Sequence, residues 1–409
     1  MRRRFSGTNI SKDYANEYLT FEVLTDSSFS FTSDGIQYSI DKINWVELPA
    51  NTNTPTFSPG TRVYWRGDLT PISSNGIGTF SAGNQDRFKV SGNPRYLLKD
   101  NKLVDYAFYK LFYHCDYLTN ASNLILDANV LAPYCYSNMF SYCTWLTQAP
   151  ELPATTLAPY CYSNMFYSCE WLTQAPELPA TTLANNCYQS MFSNCGRLTE
   201  APKLPATKLA EYCYQSMFSN CGSLTKAPEL PVTKLTNACY RHMFFYCTSL
   251  TKAPKLPATT LATYCYNNMF RNCTRLTETP ELPATILANN CYDNMFSYCT
   301  ALIKAPELPA TNLVKYCYYG MFHGCTNLTG TPELPATILA TYCYYSMFYG
   351  CNKLNYIKSY ANNISASNCL TNWLSGVSST GNFYKPTSVT YQSGASGIPS
   401  GWTIHNIEE

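Results

Sequence analysis

The sequence predicts an α/β solenoid of about ten 26-residue coils, with a small all-β N-terminal domain and an irregular C-terminal cap. Three observations carry this. The phrase Cys135-Tyr136-Ser137-Asn138-Met139-Phe140-Ser141-Tyr142-Cys143 returns every 26 residues, at Cys161, Cys187, Cys213, Cys239, Cys265, Cys291, Cys317 and Cys343. The phrase is too short to bury its apolar face alone, so neighbouring copies must stack to complete a core. The texture of the chain changes at both ends of the repeat, where short strand-like runs and turn residues take over.

Taken in order, the chain divides into a tail (1–15), a β-sandwich or barrel-like domain (16–98), the solenoid (99–375) and the cap (376–409). The tail opens Met1-Arg2-Arg3-Arg4, a solvated terminus or a segment that docks on an acidic partner. In the domain, Tyr18–Leu24, Ser28–Phe31, Gln37–Ile40, Trp45–Leu48, Thr61–Trp65, Gly78–Phe80 and Arg87–Val90 read as strands separated by turns such as Asp34-Gly35 and Pro59-Gly60. The alternative to a sandwich or barrel is a sheet that packs on the end of the rod as a cap.

Residues 99–130 read as a first, atypical coil, with Ala107 and Leu111 in place of Cys and Met. In the regular coils, Leu157, Tyr160, Cys161, Met165, Phe166 and Cys169 are largely apolar and recur mostly at steps of three or four. That spacing predicts a short helix or helical turns. Leu146–Ala149 predicts only a brief strand, because Pro150 cannot donate to a ladder. Equivalent residues should then form columns, with Phe140 through Phe348 and Leu146 through Leu354 buried. Ten coils at about 4.8 Å each would make a rod of about 45 Å. At the far end Trp373-Leu374 replaces Met-Phe, and Trp402 and Ile404 are the expected anchors of the cap.

The phrase Met139-Phe140-Ser141-Tyr142-Cys143-Thr144-Trp145-Leu146 resembles the BspA-like leucine-rich repeats of bacterial surface proteins, with Met in place of that family's Ala. The resemblance covers roughly residues 100–375. The Tyr18–Glu22 opening and the Gly397-Ile398-Pro399-Ser400-Gly401-Trp402 ending are similar to repeat proteins of gut Bacteroidales and their phages. The resemblance implies a leucine-rich-repeat solenoid with binding or adhesion functions, and it brings no catalytic residues.

Composition excludes several classes. The formal charge is +2 and charged residues make up 13%, whereas a nucleic-acid surface needs clustered Lys and Arg. No apolar run is long enough for a membrane span, and none near the start suits a signal peptide. Membrane insertion and a recognisable signal peptide are therefore not expected. The twenty cysteines alternate at steps of 8 and 18, which does not suit zinc. They read as small buried hydrophobes. The other reading pairs them across coils, from Cys115–Cys135 to Cys351–Cys369. The four histidines, His114, His242, His323 and His405, form no metal spacing. Gly76-Ile77-Gly78 lacks the remaining residues of a phosphate loop. No catalytic constellation, cofactor or metal site is expected.

What differs between coils is the candidate binding surface. Two residues after each column Leu stand Lys226, Lys252 and Lys304, in a row of mixed sign. In the repeated phrase, Arg241, His242, Tyr319 and Tyr345 replace small polar residues. Arg and aromatic side chains are common interface anchors. The expected function is non-enzymatic recognition or adhesion, with a protein or glycan on a host or bacterial surface as partner. The expected location is a virion, in contact with virion proteins, or the extracellular surface. The alternatives are a bacterial cell-surface adhesin and a purely structural spacer. Binding is expected in the later coils, about residues 239–351.

Overall fold

The chain was analysed as a computed structural model that describes residues 17–407. The expected tail, 1–15, lies outside the described residues.

Alternating apolar residues and turn residues give the N-terminal part its strands. They are β1 (Leu19–Val23), β2 (Phe29–Phe31), β3 (Ile36–Ser39), β4 (Val46–Leu48), β5 (Arg62–Gly67), β6 (Phe80–Ala82) and β7 (Phe88–Gly92). β8 (Leu118–Leu124) comes from the first coil. One sheet has the order β4-β3-β5-β1-β7-β8, and β2 pairs with β6. All these pairings are antiparallel except β7–β8, which is parallel. Phe21 packs against Phe29, Trp65, Phe80 and Phe88, with ring centroids 4.9–5.2 Å apart. The sheet and the solenoid share this core. Phe80 stacks on Phe112 at 5.9 Å, its amide donates to the Leu111 carbonyl, and its own carbonyl accepts from the Cys115 thiol.

In the coils the expected helix is absent. Among the described residues there is no α-helix, only three short 3₁₀ segments at Ser73–Asn75, Pro94–Leu97 and Lys99–Asn101. The α component of the expected α/β class is therefore corrected to a run of tandem turns. Backbone dihedrals give the reason. Tyr134, Asn138 and Tyr142 have φ of 56°, 56° and 63°, and the same every-fourth pattern returns in later coils. A left-handed residue at every fourth position cannot lie in an α-helix. It does suit the third position of a turn. The apolar spacing of four is thus the period of the turns.

The backbone amides alternate. Those of Cys135, Ser137, Met139, Ser141 and Cys143 close turns within the coil, each donating to the carbonyl three residues back. Those of Tyr134, Tyr136, Asn138, Phe140 and Tyr142 donate to the next coil, on Pro159, Cys161, Ser163, Met165 and Tyr167 at 2.8–3.1 Å. Every buried amide of the phrase is satisfied in one of two directions, so the turns survive without helical hydrogen bonding. On the other stretch of the coil, single parallel bridges such as Gln174↔Glu200 and Thr182↔Lys208 take the place of longer strands. The prolines of the linking phrase keep the ladder to single bridges.

Inside, the columns form as expected. Phe140 through Phe348 are fully buried, and successive rings stack 5.5–5.9 Å apart. The column of Tyr136 is interior as well, at 1% exposure. All twenty cysteines are free and buried. The second thiol of each coil has a specific partner. Cys169 Sγ donates to the Phe140 carbonyl at 3.2 Å, on an oxygen that also accepts the Cys143 amide. Cys195 through Cys351 repeat this bond. Burial pushes the thiols of both positions up, to about 12 for the second-position Cys221 and about 11 for the first-position Cys239. The two cysteine series form separate columns. Cys195 feels Cys169 and Cys221, whereas Cys187 feels Cys161 and Cys213. Pairing a second Cys with the first Cys of the next coil therefore does not match the neighbours the fold provides.

The far end continues the ladder with β9 (Tyr356–Lys358), β10 (Gly381–Pro386) and β11 (Trp402–Ile407), in the parallel order β11-β10-β9. Trp402 is buried, and its Nε1 donates to the Ser378 carbonyl at 2.8 Å. Ile404 is 51% exposed, so it is not an anchor. β11 is an edge strand of that sheet among the described residues.

Two outcomes test this packing. Phe218→Ala should cost about 3–5 kcal/mol through lost burial and a cavity, read as a lower denaturation midpoint. Thiol titration of unreduced, denatured protein should count close to twenty, with slow reaction in the native state because the buried thiols stay protonated.

Candidate binding face

The tandem turns decide which side chains face outward. Positions with positive φ are mostly Asn, Ser, Gly or Tyr, as at Asn138, Asn164, Ser190, Gly320 and Tyr342, with His242 and Ala238 among the exceptions. Much of the variable row in the repeated phrase is therefore set by the backbone, because Asn and Gly tolerate this conformation best. The residue before the middle one, at the position of Ser137, carries no such demand and is free to specify binding.

The seven expected surface residues fall on two different parts of the coil. Arg241, Tyr319 and Tyr345 share the Ser137 position, and His242 is the left-handed residue beside Arg241, with φ 56°. Lys226, Lys252 and Lys304 lie at the bridge position, opposite Glu200, Glu278 and Gly330 respectively. Lys252 Nζ is 2.6 Å from Glu278. Lys226 and Lys304 line clefts between successive linking phrases, where Glu200 and Glu229, or Glu278 and Glu307, supply the opposite sign. The lysine row is thus balanced by carboxylates along its length and sets up no single-sign field.

The turn face is more distinctive. Tyr319 stacks on Tyr345 at 4.8 Å and 6°. Beside them Tyr316 stacks on Tyr342 at 4.7 Å. Cross-contacts Tyr316–Tyr319 and Tyr342–Tyr345, at 5.7 and 5.6 Å, join the two columns. All four rings are half-buried and line an open trough of about 370 Å³, closed at one end by Asn290 and Asp293 and at the other by Asn368 and Thr371. Burial raises the Asp293 carboxyl, and hydrogen bonds from the Asn290 and Asn294 amides oppose the rise.

Toward the earlier coils the same face carries two guanidiniums. Arg241 Nε donates to Asn267 Oδ1 at 3.2 Å, and Arg271 Nη1 to Asn268 Oδ1 at 3.3 Å. Each also lies near an aromatic ring, Tyr264 at 5.4 Å and Tyr298 at 5.7 Å. Neither forms an ion pair among the described residues. His242 is half-buried beside them. Burial first, then Arg241 and Arg271, lower it from 6.5 to about 4, so its imidazole is neutral at pH 7. His323, also half-buried, stacks on Tyr349 at 4.7 Å, and its Nε2 is 3.1 Å from the Tyr298 hydroxyl.

Sequence reasoning did not single out Tyr316, Tyr342, Asn290 or Arg271. Tyr316 and Tyr342 stand three residues before Tyr319 and Tyr345, and the turns bring each pair side by side. A second missed stack lies in the early coils, where Trp145 and Trp171 are 5.1 Å apart at 4°. Its signal was available, as both tryptophans directly precede a column Leu. Among the described residues no three His, Cys, Asp or Glu are grouped to hold a metal ion. Likewise no helix among them is long and apolar enough to cross a membrane.

Comparison with known families matches the BspA type leucine rich repeat region, in six copies, over residues 108–251 and 240–373. The chain belongs to the BspA-type leucine-rich-repeat family. Repeats of this family are recognition and adhesion modules, not catalytic domains. No curated protein and no solved structure matches it.

The buried histidine supplies a pH test. The folded value for His242 lies below the unfolded one, so the unfolded state binds the extra proton between about pH 6.5 and 4. Its contribution is complete above pH 6.5 and is lost as pH falls through that window, by up to about 3 kcal/mol. Denaturation midpoints at pH 7 and pH 4 should therefore diverge more for the parent protein than for His242→Gln.

Proposed function

We propose that this BspA-type repeat protein is a surface adhesin that engages an extended or repeated partner, protein or glycan, through the turn face of its later coils. One observation carries the reading. At the Ser137 position the early coils present Ser137, Ser163, Gln189 and Gln215, whereas the later ones present Arg241, Asn267, Asp293, Tyr319 and Tyr345. The later residues assemble into a continuous strip of guanidinium and stacked aromatic side chains. Stacked coils hold these side chains one strand spacing apart, about 4.8 Å. A long ligand can therefore make several weak contacts at once, and its avidity exceeds that of any single rung. The family match favours the cell-surface adhesin over the virion component, since it is a match to surface-protein repeats. Arg241, His242, Tyr319 and Tyr345 are the residues assigned to recognition, with Lys226, Lys252 and Lys304 as a secondary, charge-balanced row.

A matched pair of internal deletions tests this. Removing 135–186 or 265–316 takes out two whole coils and leaves the turn phrases in register. Binding of each labelled protein to immobilised bacterial and host surface fractions should survive the first deletion and fall at least tenfold with the second. Equal binding by both would remove the later-coil assignment. Binding retained by the N-terminal strands alone would make the solenoid a spacer.

A further inference from the structure

The chemistry of the turn face points to a ligand class, an inference that rests on the recognition reading above. We propose that the strip from Arg241 to Tyr345 binds an acidic oligosaccharide. Its carboxylate or sulfate would sit between Arg241 and Arg271, and adjoining sugar units would lie along the tyrosine trough.

The strip carries three cations, Arg241, Arg271 and Lys315, against the one carboxylate of Asp293. The guanidiniums come from neighbouring coils, are anchored by the side-chain oxygens of the consecutive residues Asn267 and Asn268, and both act on His242 and Asp293. Each anchor uses one N–H group and Arg271 Nε is buried, which leaves the remaining terminal N–H groups for an anion. A positioned guanidinium with free donors is well suited to a carboxylate or sulfate. Asp293 acts on both guanidiniums but forms an ion pair with neither among the described residues, so it offsets only one of the three positive charges. His242, half-buried beside both guanidiniums, is held neutral and adds no charge at pH 7.

The trough then favours a sugar over a peptide. Its lining is four phenols, two side-chain amides, a hydroxyl and a carboxylate. These are donors and acceptors for hydroxyl groups, with no aliphatic pocket for an apolar peptide anchor. A peptide that binds by strand addition needs unpaired backbone groups. Here the amides of Tyr316, Tyr318, Gly320 and Phe322 already donate to the next coil. Stacking holds the rings in place, so little side-chain entropy is lost on binding. From Asn290 to Asn368 the trough spans three coil steps, about 14 Å, room for more than one sugar unit. The competing stack, Trp145 on Trp171, offers less. Tyr117 covers one side at 5.9 Å, and the Arg197 guanidinium lies 3.3 Å over the centre of Trp171.

The test is calorimetric titration of the full chain with hexasaccharides of galacturonate, sialic acid and chondroitin sulfate. Maltohexaose and hexaglutamate serve as the neutral and the peptide comparison. At least one acidic hexasaccharide should bind at least tenfold more tightly than either comparison. Arg241→Gln with Arg271→Gln should remove that preference, a loss of roughly tenfold or more for charge-assisted bonds. Arg241→Lys with Arg271→Lys should retain part of it. Tyr319→Ser with Tyr345→Ser should weaken the same hexasaccharide with the melting temperature preserved. If the serine pair lowers the melting temperature, Tyr319→Phe with Tyr345→Phe replaces it. Binding of none of the three acidic hexasaccharides overturns the proposal. So does equal binding of maltohexaose, or hexaglutamate binding that ignores the tyrosine changes; the last outcome identifies an acidic peptide instead. If no hexasaccharide binds while the 265–316 deletion still abolishes surface binding, the ligand class fails and the adhesin reading stands. If that deletion also has no effect, both fall.

Discussion

The structure depends on the alternation of backbone amides in the turn phrase. One set closes turns within the coil, and the other reaches the next coil, so each coil is at once a folded unit and half of an interface. Neither set can form alone. A single coil would leave every second amide of a buried segment without a partner, at a cost of the order of 1–3 kcal/mol each. Stability is consequently a sum over neighbouring pairs. The constraint applies within the phrase and not to the linker. The first coil has a longer linker, yet the Phe108 amide still meets the Cys135 carbonyl at 2.8 Å.

The side chains follow from that backbone. A turn with a left-handed residue at every fourth place sends two residues inward between each pair of outward ones. Met and Phe fill one inward pair and Cys and Tyr the other. Cys suits its second position because it is small and has a donor for the Phe carbonyl of the preceding coil. One end of the Phe column is closed by Phe80, which stacks below Phe112. At the other end Leu374 takes the Phe place, while Trp373, in the Met place, stacks on Tyr344 at 6.2 Å and its carbonyl accepts the Phe348 amide at 2.9 Å. The N-terminal sheet is therefore continuous with the rod at the level of the core, and β8 joins it at the level of hydrogen bonds.

Such a core leaves little freedom inside and much outside. Interior columns are near-invariant because each residue meets its own equivalents above and below. Outward positions meet equivalents only at the ring or guanidinium level, so they can change from coil to coil at little cost in stability. That is where Arg241, Tyr319 and Tyr345 occur, and where Tyr316 and Tyr342 turn two single columns into a trough. Recognition by an extended surface is the function this division of labour serves, as the family of the repeats indicates.

The sequence by itself determined the number of coils, the superposition of equivalent residues and the burial of the Phe, Leu and Cys columns. A fixed period forces each of these. It also placed Arg241, Tyr319 and Tyr345 in one row, since they differ by whole periods. Only the tertiary structure decided that the apolar spacing of four belongs to turns. Apolar periodicity is insensitive to the sign of φ, although the Asn, Ser and Gly residues at every fourth place were a readable hint. The structure also decided that Arg241 and Arg271 anchor on the adjacent Asn267 and Asn268, that Tyr316 flanks Tyr319, and that Ile404 faces outward. Each depends on the lateral direction of a side chain within its coil. A repeat period fixes which residues stack but not where they point.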